Sequence, residues 1–237
     1  MDRKIILTKD GSHTVSVPEM NVTYHSVHGA IQESMHVFIN AGFRQFSDLT
    51  ELRIFEMGFG TGLNALLTLI EAEKTKQQIH YTSIELFPLR AKEIDELNYC
   101  DQLNRKDLES VFAQLHQCDW GKEIQITEHF TLQKINTSLS TFNPFTGIST
   151  NKNSSTLQLF NLIYYDAFAP SAQPELWTAG IFEKLYSILN NKGALVTYCS
   201  KGDVRRAMQT AGFTIEKIPG PPGKREMVRA FREAFSP

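Results

Sequence analysis

Phe55-Glu56-Met57-Gly58-Phe59-Gly60-Thr61-Gly62-Leu63-Asn64 joins an apolar run, Leu52 to Phe55, to a second one, Leu63 to Ile70. The pattern reads as a strand, a glycine-rich turn and a helix. Glycine is required where the backbone takes a positive φ or lets a ligand come close. The N–H groups that open the following helix then face whatever sits in the turn. At the carboxyl edge of a sheet, such a turn is a nucleotide-binding device.

The spacing narrows the choice of nucleotide. The glycines fall at 58, 60 and 62, and Leu63 stands where a G-x-G-x-x-G dinucleotide turn has its third glycine. The Lys and Ser/Thr that close a P-loop are missing. What remains, E-x-G-x-G-x-G, resembles motif I of class I S-adenosyl-L-methionine (SAM) methyltransferases, and the resemblance implies SAM as cofactor. SAM has no phosphate, but its sulfonium and amino group are cationic, and an acid such as Glu56 at the strand end suits them. Ile79 to Ile84 alternates like a second strand and ends at Glu85, 23 residues after Gly62. That is near the roughly 20-residue offset at which a Rossmann-type acid meets the ribose hydroxyls.

The 237 residues, 41% hydrophobic, suit one α/β domain or one domain with an extension. No run of 18 apolar residues is present, so neither a membrane span nor a membrane partner is expected. Met1-Asp2-Arg3-Lys4 lacks the apolar core of a signal peptide. Cys100, Cys118 and Cys199 are widely spaced and odd in number, which reads as free thiols in a reducing, cytoplasmic setting. The histidines form no H-E-x-x-H set, and no metal site is expected. The net charge of −2 is uneven. Residues 192 to 237 carry nine basic and four acidic side chains, a balance of +5 that leaves −7 for the rest. A basic end of this kind suits a phosphate backbone or an ordinary solvated surface.

From Leu52 the chain alternates strand and helix signals: strands at 52–57 and 79–85, a strand pair at 124–134, and strands at 160–166 and 194–199. Helices are expected at 63–73, 88–98, 101–117, 175–190 and 202–211. This predicts a parallel, Rossmann-like α/β sheet with helices on both faces. Two last strands, 213–218 and 226–231, predict an antiparallel hairpin at one edge. Residues 1–50 form an N-terminal extension with short strands at 15–17 and 22–24 and a helix-like stretch from Ile31 to Ala41. Residues 51–237 form the Rossmann-like domain, with a surface loop inserted at 143–158.

Leu162-Ile163-Tyr164-Tyr165 is a buried-type strand ending in Asp166-Ala167-Phe168-Ala169-Pro170, with Pro174-Glu175-Leu176-Trp177 beyond. In an open α/β sheet this places Asp166 at the same edge as Glu56 and Glu85. Asp-Ala-Phe-Ala-Pro with Pro174 and Trp177 resembles the methyltransferase module of the MnmC family of tRNA 5-methylaminomethyl-2-thiouridine biosynthesis proteins. The turn Glu56 to Asn64, Arg205-Arg206 with Ala211-Gly212-Phe213, and Gly223-Lys224-Arg225-Glu226-Met227 are similar to that family. So is Gly29 to Phe38, with Glu33 and Val37-Phe38. The likeness runs in order along nearly the whole chain. No second glycine-rich turn follows, so the chain looks like a stand-alone module, which implies methyl transfer without the fused flavin-dependent oxidase. The family's third strand ends in Gly-Asp; here Gln133-Lys134 occupy that place, and no adenine contact is assigned there.

The resemblance implies a class I SAM methyltransferase that converts 5-aminomethyl-(2-thio)uridine, at the wobble position of the tRNA anticodon stem-loop, to 5-methylaminomethyl-(2-thio)uridine. It also implies functional coupling to the enzymes that make the aminomethyl precursor. Asp166 is the catalytic candidate, holding the acceptor amine and taking its proton. Cofactor candidates are Glu33, Glu56, Met57, Gly58, Gly60, Gly62, Asn64, Glu85, Asp166, Ala167 and Phe168. Phe168 and Pro170 are candidates to wall the uracil ring, and Lys201, Arg205, Arg206, Lys224 and Arg225 to meet tRNA phosphates. Trp177 is expected to anchor its helix. Rival readings are a small-molecule amine methyltransferase, an aminopropyltransferase-like enzyme and a pure RNA-binding module. The two strand-end acids oppose the last of these, since they repel phosphate.

Overall fold

The structure is a computed structural model that describes residues 2–143 and 159–233. Apart from Asn143, the loop expected at 143–158 lies outside the described residues. An eight-stranded sheet carries the fold. Its strands in chain order are β4 (Glu51–Met57), β5 (Gln78–Ile84), β6 (Glu123–Thr127), β7 (Phe130–Ile135), β8 (Phe160–Tyr165), β9 (Leu189–Thr197), β10 (Thr214–Pro219) and β11 (Glu226–Phe231). Their spatial order is β10-β11-β9-β8-β4-β5-β7-β6. The five central strands, β9, β8, β4, β5 and β7, are parallel; β11 and β6 run antiparallel to their neighbours. The expected terminal hairpin, β10–β11, forms one edge, and the strand pair β6–β7 forms the other.

Register makes the site. Met57 pairs with Ile84 on one side and Tyr165 on the other, and Ile84 pairs with Ile135. Four strands therefore end in one row. The chain leaves β4 toward β5 through α2 (Leu63–Thr75) and returns to the other flank as β8, so a crevice opens between the two connections.

The central strands are buried on both faces, as parallel strands covered by helices are. On β4, Leu52 and Ile54 belong to one core cluster and Phe55 to the other. The first cluster is closed by the N-terminal helical residues Val37 to Ile39, by α2 and by α5 (Glu109–Gln117). The second is closed by α6 (Ala179–Ser187) and α7 (Gly202–Thr210). Trp177 is buried against Tyr165, Phe182 and Tyr198, and its Nε1 donates to Phe168 O at 2.8 Å, so it is the expected anchor.

The N-terminal residues add a three-stranded antiparallel sheet: β1 (Lys4–Leu7), not foreseen, with β2 (His13–Val17) and β3 (Val22–Thr23). Its β1–β2 turn caps α1 (Ala30–Ser34). Asp10 Oδ2 accepts from Gln32 N at 3.0 Å, and Ser12 Oγ accepts from Ala30 N at 3.2 Å. From Met35 to Asn40 the helix widens into a π-helical turn.

Several helices are shorter than their sequence pattern. The one expected at 88–98 is α3 (Ala91–Asp95), opened after Pro88 by Glu93, whose carboxylate accepts from Arg90 N at 2.7 Å and from Arg90 Nη2 at 2.6 Å. The region 101–117 is divided into α4 (Tyr99–Gln102), a 3-10 turn and α5, because Asn104 takes a left-handed conformation (φ 53°). The stretch 175–190 becomes a 3-10 turn (Pro174–Trp177) and α6, and β9 begins at Leu189 with an irregularity around Lys192 (φ 64°).

Phe55 is fully buried between the rings of Phe142 and Phe160, each at 5.3 Å. Phe55→Ala is expected to cost about 3–5 kcal/mol, read as a lowered chemical-denaturation midpoint. An unchanged midpoint would show that this ring cluster does not hold the sheet.

Candidate functional site

A cavity of about 340 Å³ opens at the carboxyl ends of β4, β5 and β8. That lies within the roughly 300–1,000 Å³ of small-molecule sites. Its floor is the turn Met57 to Thr61 with Leu63 and Asn64. The turn is folded back on β5: Gly58 N and Phe59 N both donate to Ile84 O, at 3.0 and 3.2 Å, and Gly60 N donates to Glu85 Oε2 at 3.0 Å. Gly60 (φ 50°) has the Tyr24 ring where a Cβ would stand 3.3 Å away, so a side chain there is opposed by both backbone and neighbour.

Asp166, Ala167 and Phe168 form the β8 wall, and Glu85 sits opposite on β5. Asp166 Oδ2 accepts from Asn64 Nδ2 at 3.1 Å. Glu85 Oε1 accepts from Phe87 N at 2.7 Å, so both of its oxygens already brace backbone. Phe168 meets Tyr24 edge-to-face at 5.3 Å, which makes an aromatic wall between β8 and the N-terminal segment.

Burial raises the Asp166 carboxyl to about 7. Glu33 adds to the rise, while Asn64 and Lys224 oppose it. Burial likewise raises Glu56 to about 8, against hydrogen bonding from Ser83 and Asn64. Glu56 is not in the cavity wall. Strand alternation turns it onto the α2 face, where Ser83 Oγ donates to its Oε2 at 2.8 Å. Its Oε1 and Asn64 Oδ1 are both buried without a partner. Asn64 Nδ2 donates one of its hydrogens to Asp166, and Glu56 is faced by Asn64 and by the buried Tyr81 hydroxyl. Burial keeps the Glu56 carboxyl protonated, and that proton can be given to Asn64 Oδ1, while Tyr81 OH stands as a donor to the same carboxyl.

The structure thus gathers Met57, Gly58, Gly60, Asn64, Glu85, Asp166, Ala167 and Phe168 around one cavity, and leaves the other candidates outside its wall. Glu56 lies behind the wall. Gly62 (φ 72°) shapes the turn without lining the cavity, and a Cβ there would come within 2.9 Å of His116 Nε2. Pro170 is half-buried outside the wall. Glu33 also lies outside it, with Oε1 bound to Lys224 Nζ at 2.6 Å and Oε2 accepting from Ser26 N at 2.6 Å. Lys224 is therefore ion-paired rather than free for phosphate, and exposed Arg206 is paired with Asp203. Lys201, Arg205 and Arg225 have no ion pair among the described residues, and Arg205 and Arg225 both act on Glu226.

Lys134 is buried away from the cavity. It donates to His116 O and lies 4.7 Å from the Trp120 ring and 5.3 Å from the Phe59 ring. The residues that line the cavity at the end of the third parallel strand are Thr137 to Ser140, just beyond the expected Gln133-Lys134.

Sequence reading missed Tyr24, His25, Leu86, Phe87, Gln173, Glu175 and Leu176 in the wall as well. Leu86 and Phe87 carried a signal, being apolar directly after a strand-end acid. His25 carried none. It is buried, which pushes it down to about 4 and keeps it neutral. Thr14 Oγ1 accepts from His25 N at 3.0 Å and is hydrogen-bonded to the ring Nδ1 at 3.2 Å. The spacing His25-x-x-His28 is divided by the fold, since the His28 ring packs against Gly223. Among the described residues no group of three or more His, Cys, Asp or Glu is placed to hold a metal. No helix among them is long and apolar enough to cross a membrane.

Residues 106–233, more than half of the chain, match the family of S-adenosyl-L-methionine-dependent methyltransferases, and the chain belongs to that family. Its cofactor is SAM. The residues present fit it: a glycine floor and a carboxylate on each flank.

Within the family the chain is 28% identical, over 97% of its length, to the tRNA 5-methylaminomethyl-2-thiouridine biosynthesis bifunctional protein MnmC of Leptospira interrogans. It is 27% identical over 86% of its length to the protein of that name from Paraburkholderia xenovorans. The chain spans about a third of those relatives, 36% and 31%. Among solved structures, MNMC2 from Aquifex aeolicus superposes with a TM-score of 0.78 at 23% identity, over all of this chain and 72% of that one. The CurJ carbon methyltransferase shares the fold at a TM-score of 0.51 and 11% identity, over 89% and 57% of the two chains.

Glu56 yields a pH test. Folded, its carboxyl keeps its proton to about 8, while its ordinary value is 4.5. Between those values the folded state binds the extra proton, so stability falls as pH rises. Gln in place of Glu56 supplies the donor permanently. Ligand-free Glu56→Gln is expected to lose most of that slope and to exceed the wild type in denaturation midpoint at pH 8. Parallel slopes for the two proteins would show Glu56 ionised in the folded state.

Proposed function

We propose that this protein methylates the primary amine of 5-aminomethyl-(2-thio)uridine at the tRNA wobble position, giving 5-methylaminomethyl-(2-thio)uridine. The observation that carries the reading is Asp166. It is a cavity-wall carboxyl at the end of β8, held by Asn64 and raised to about 7, in a chain similar over 97% of its length to proteins named for this product.

Bound SAM supplies an electrophilic methyl group on a cationic sulfur. The chain's own residues prepare the acceptor. An alkylammonium has no lone pair until it loses a proton. Asp166 accepts a hydrogen bond from it and takes that proton, and a value near 7 matches this task at neutral pH. SAM held over the glycine turn would supply the methyl group, its C–S bond breaking as the N–C bond formed, and the chain's part is to present the amine with its lone pair free. Asn64 keeps the carboxylate aimed, and Tyr24 and Phe168 bound the space for a planar ring and exclude water from the amine. Glu85 suits the ribose diol and the Thr137–Ser140 segment the adenine. Lys201, Arg205 and Arg225 are the cations for phosphates of the anticodon stem-loop. We place the protein in the cytoplasm, working after enzymes that install the aminomethyl group.

The deciding experiment incubates purified protein and SAM with tRNA from cells lacking the wobble methyltransferase, followed by nucleoside mass spectrometry. Gain of one methyl on the aminomethyl nucleoside is expected. SAM binding with no methyl gain on that tRNA would move the acceptor to another amine. Asp166→Ala is expected to lower turnover by about 10²-fold or more while SAM affinity stays within a few-fold. Loss of SAM binding would make Asp166 a cofactor residue instead. Neutralising Lys201, Arg205 or Arg225 is expected to weaken tRNA binding and to flatten the plot of log affinity against log salt by about one unit for each phosphate no longer neutralised. An unchanged slope would remove these residues from the interface.

A further inference from the structure

The pair Glu33–Lys224 joins chain regions 191 positions apart, and neither residue lines the cavity. Glu33 lies on α1 and is buried. Its two oxygens are taken by Lys224 Nζ and Ser26 N, both at 2.6 Å. Lys224 lies in the β10–β11 turn, and its ammonium sits 3.9 Å above the Tyr198 ring. Tyr198 OH donates to Ala167 O at 2.8 Å, one residue from Asp166. The turn is pressed onto the N-terminal segment: the His28 ring fills the space beside Gly223, and His36 Nε2 lies 2.8 Å from Pro219 O.

We propose that Glu33 and Lys224 are positioning residues for Asp166: their ion pair clamps the β10–β11 turn to α1, holds Tyr198 against Ala167 beside Asp166, and keeps two opposite charges facing the Asp166 carboxylate. The proposal rests on the reading of Asp166 as proton acceptor. It assigns Glu33 and Lys224 to neither cofactor nor phosphate.

The charges around Asp166 support this. Glu33 from α1 raises it, and Lys224 from the β10–β11 turn and Asn64 from α2 lower it. Glu56 of β4, Tyr81 of β5 and Tyr198 after β9 are the other titratable groups that face it. Glu33 in turn acts on His25, and Lys224 on Cys199. Both charges of the pair thus bear on Asp166 with opposite sign, so removing one moves the carboxyl and removing both nearly restores it. A pair that merely tied two segments together would change stability and leave the titration alone.

The test follows the Asp166 carboxyl by ¹³C NMR in protein labelled at aspartate, with Asp166→Asn for assignment and no cofactor or tRNA added. Glu33→Gln is expected to lower the titration midpoint by about one unit and Lys224→Met to raise it by a similar amount. The double variant is expected to fall near the wild type. It also keeps the test open if Lys224→Met, which leaves Glu33 buried and unpaired, does not fold. Midpoints that stay together in Glu33→Gln and in the double variant overturn the proposal. In the methylation assay the acid limb should move with each midpoint, and the salt dependence of tRNA binding by Lys224→Met should equal that of the wild type. A slope reduced by about one unit makes Lys224 a phosphate ligand and overturns its role. Midpoints that move while the acid limb stays fixed leave the coupling standing and remove Asp166 as proton acceptor.

Discussion

The parallel register of β4, β5 and β8 is the constraint on which the rest depends. Because Met57, Ile84 and Tyr165 stand side by side, the residues that follow them emerge together: the glycine turn, Glu85 and Asp166. A shift of one residue in either ladder would also exchange the faces of the strand, driving Phe55 or Tyr165 out of its cluster. The packing that stabilises the sheet thus also aligns the site.

Around that row the polar groups are organised from behind. Ser83 holds Glu56, Glu56 faces Asn64, and Asn64 holds Asp166. Ser83, Glu56 and Asn64 are buried, so the groups behind the wall act on one another more than on water, and Asp166 stands where this chain meets the cavity. The cavity wall inherits this order. Asp166 meets a ligand with its orientation already determined, and Glu85 does so with its oxygens braced on Gly60 and Phe87. The other side of the cavity comes from the N-terminal sheet, which delivers Tyr24 and His25 and caps the helix that carries Glu33. The N-terminal residues therefore belong to the site as much as the glycine turn does.

Local chemistry was legible wherever a residue's role depends on its own backbone. The glycine turn, the acid that follows a strand and the alternation of β and α signals predict the sheet, the edge hairpin and most of the cavity floor. Helix lengths were less legible. Asn104 follows the end of α4, and Pro88 stands before a helix that begins only at Ala91, since a left-handed residue or a restricted backbone interrupts hydrogen bonding without interrupting the pattern. The side on which Glu56 falls was written in the strand's period of two.

The sequence by itself determined the class of fold, the SAM turn and the acids at the strand ends, because these follow from periodicity and from backbone demands a few residues long. Only the tertiary structure decided that Lys224 pairs with Glu33, that Lys134 is buried under Trp120 and Phe59, and that His25 faces the cavity as a neutral ring. Each of these depends on segments far apart in the chain. Which charge meets which is settled by the packing of α1 against the last hairpin, a long-range geometry that no local pattern encodes.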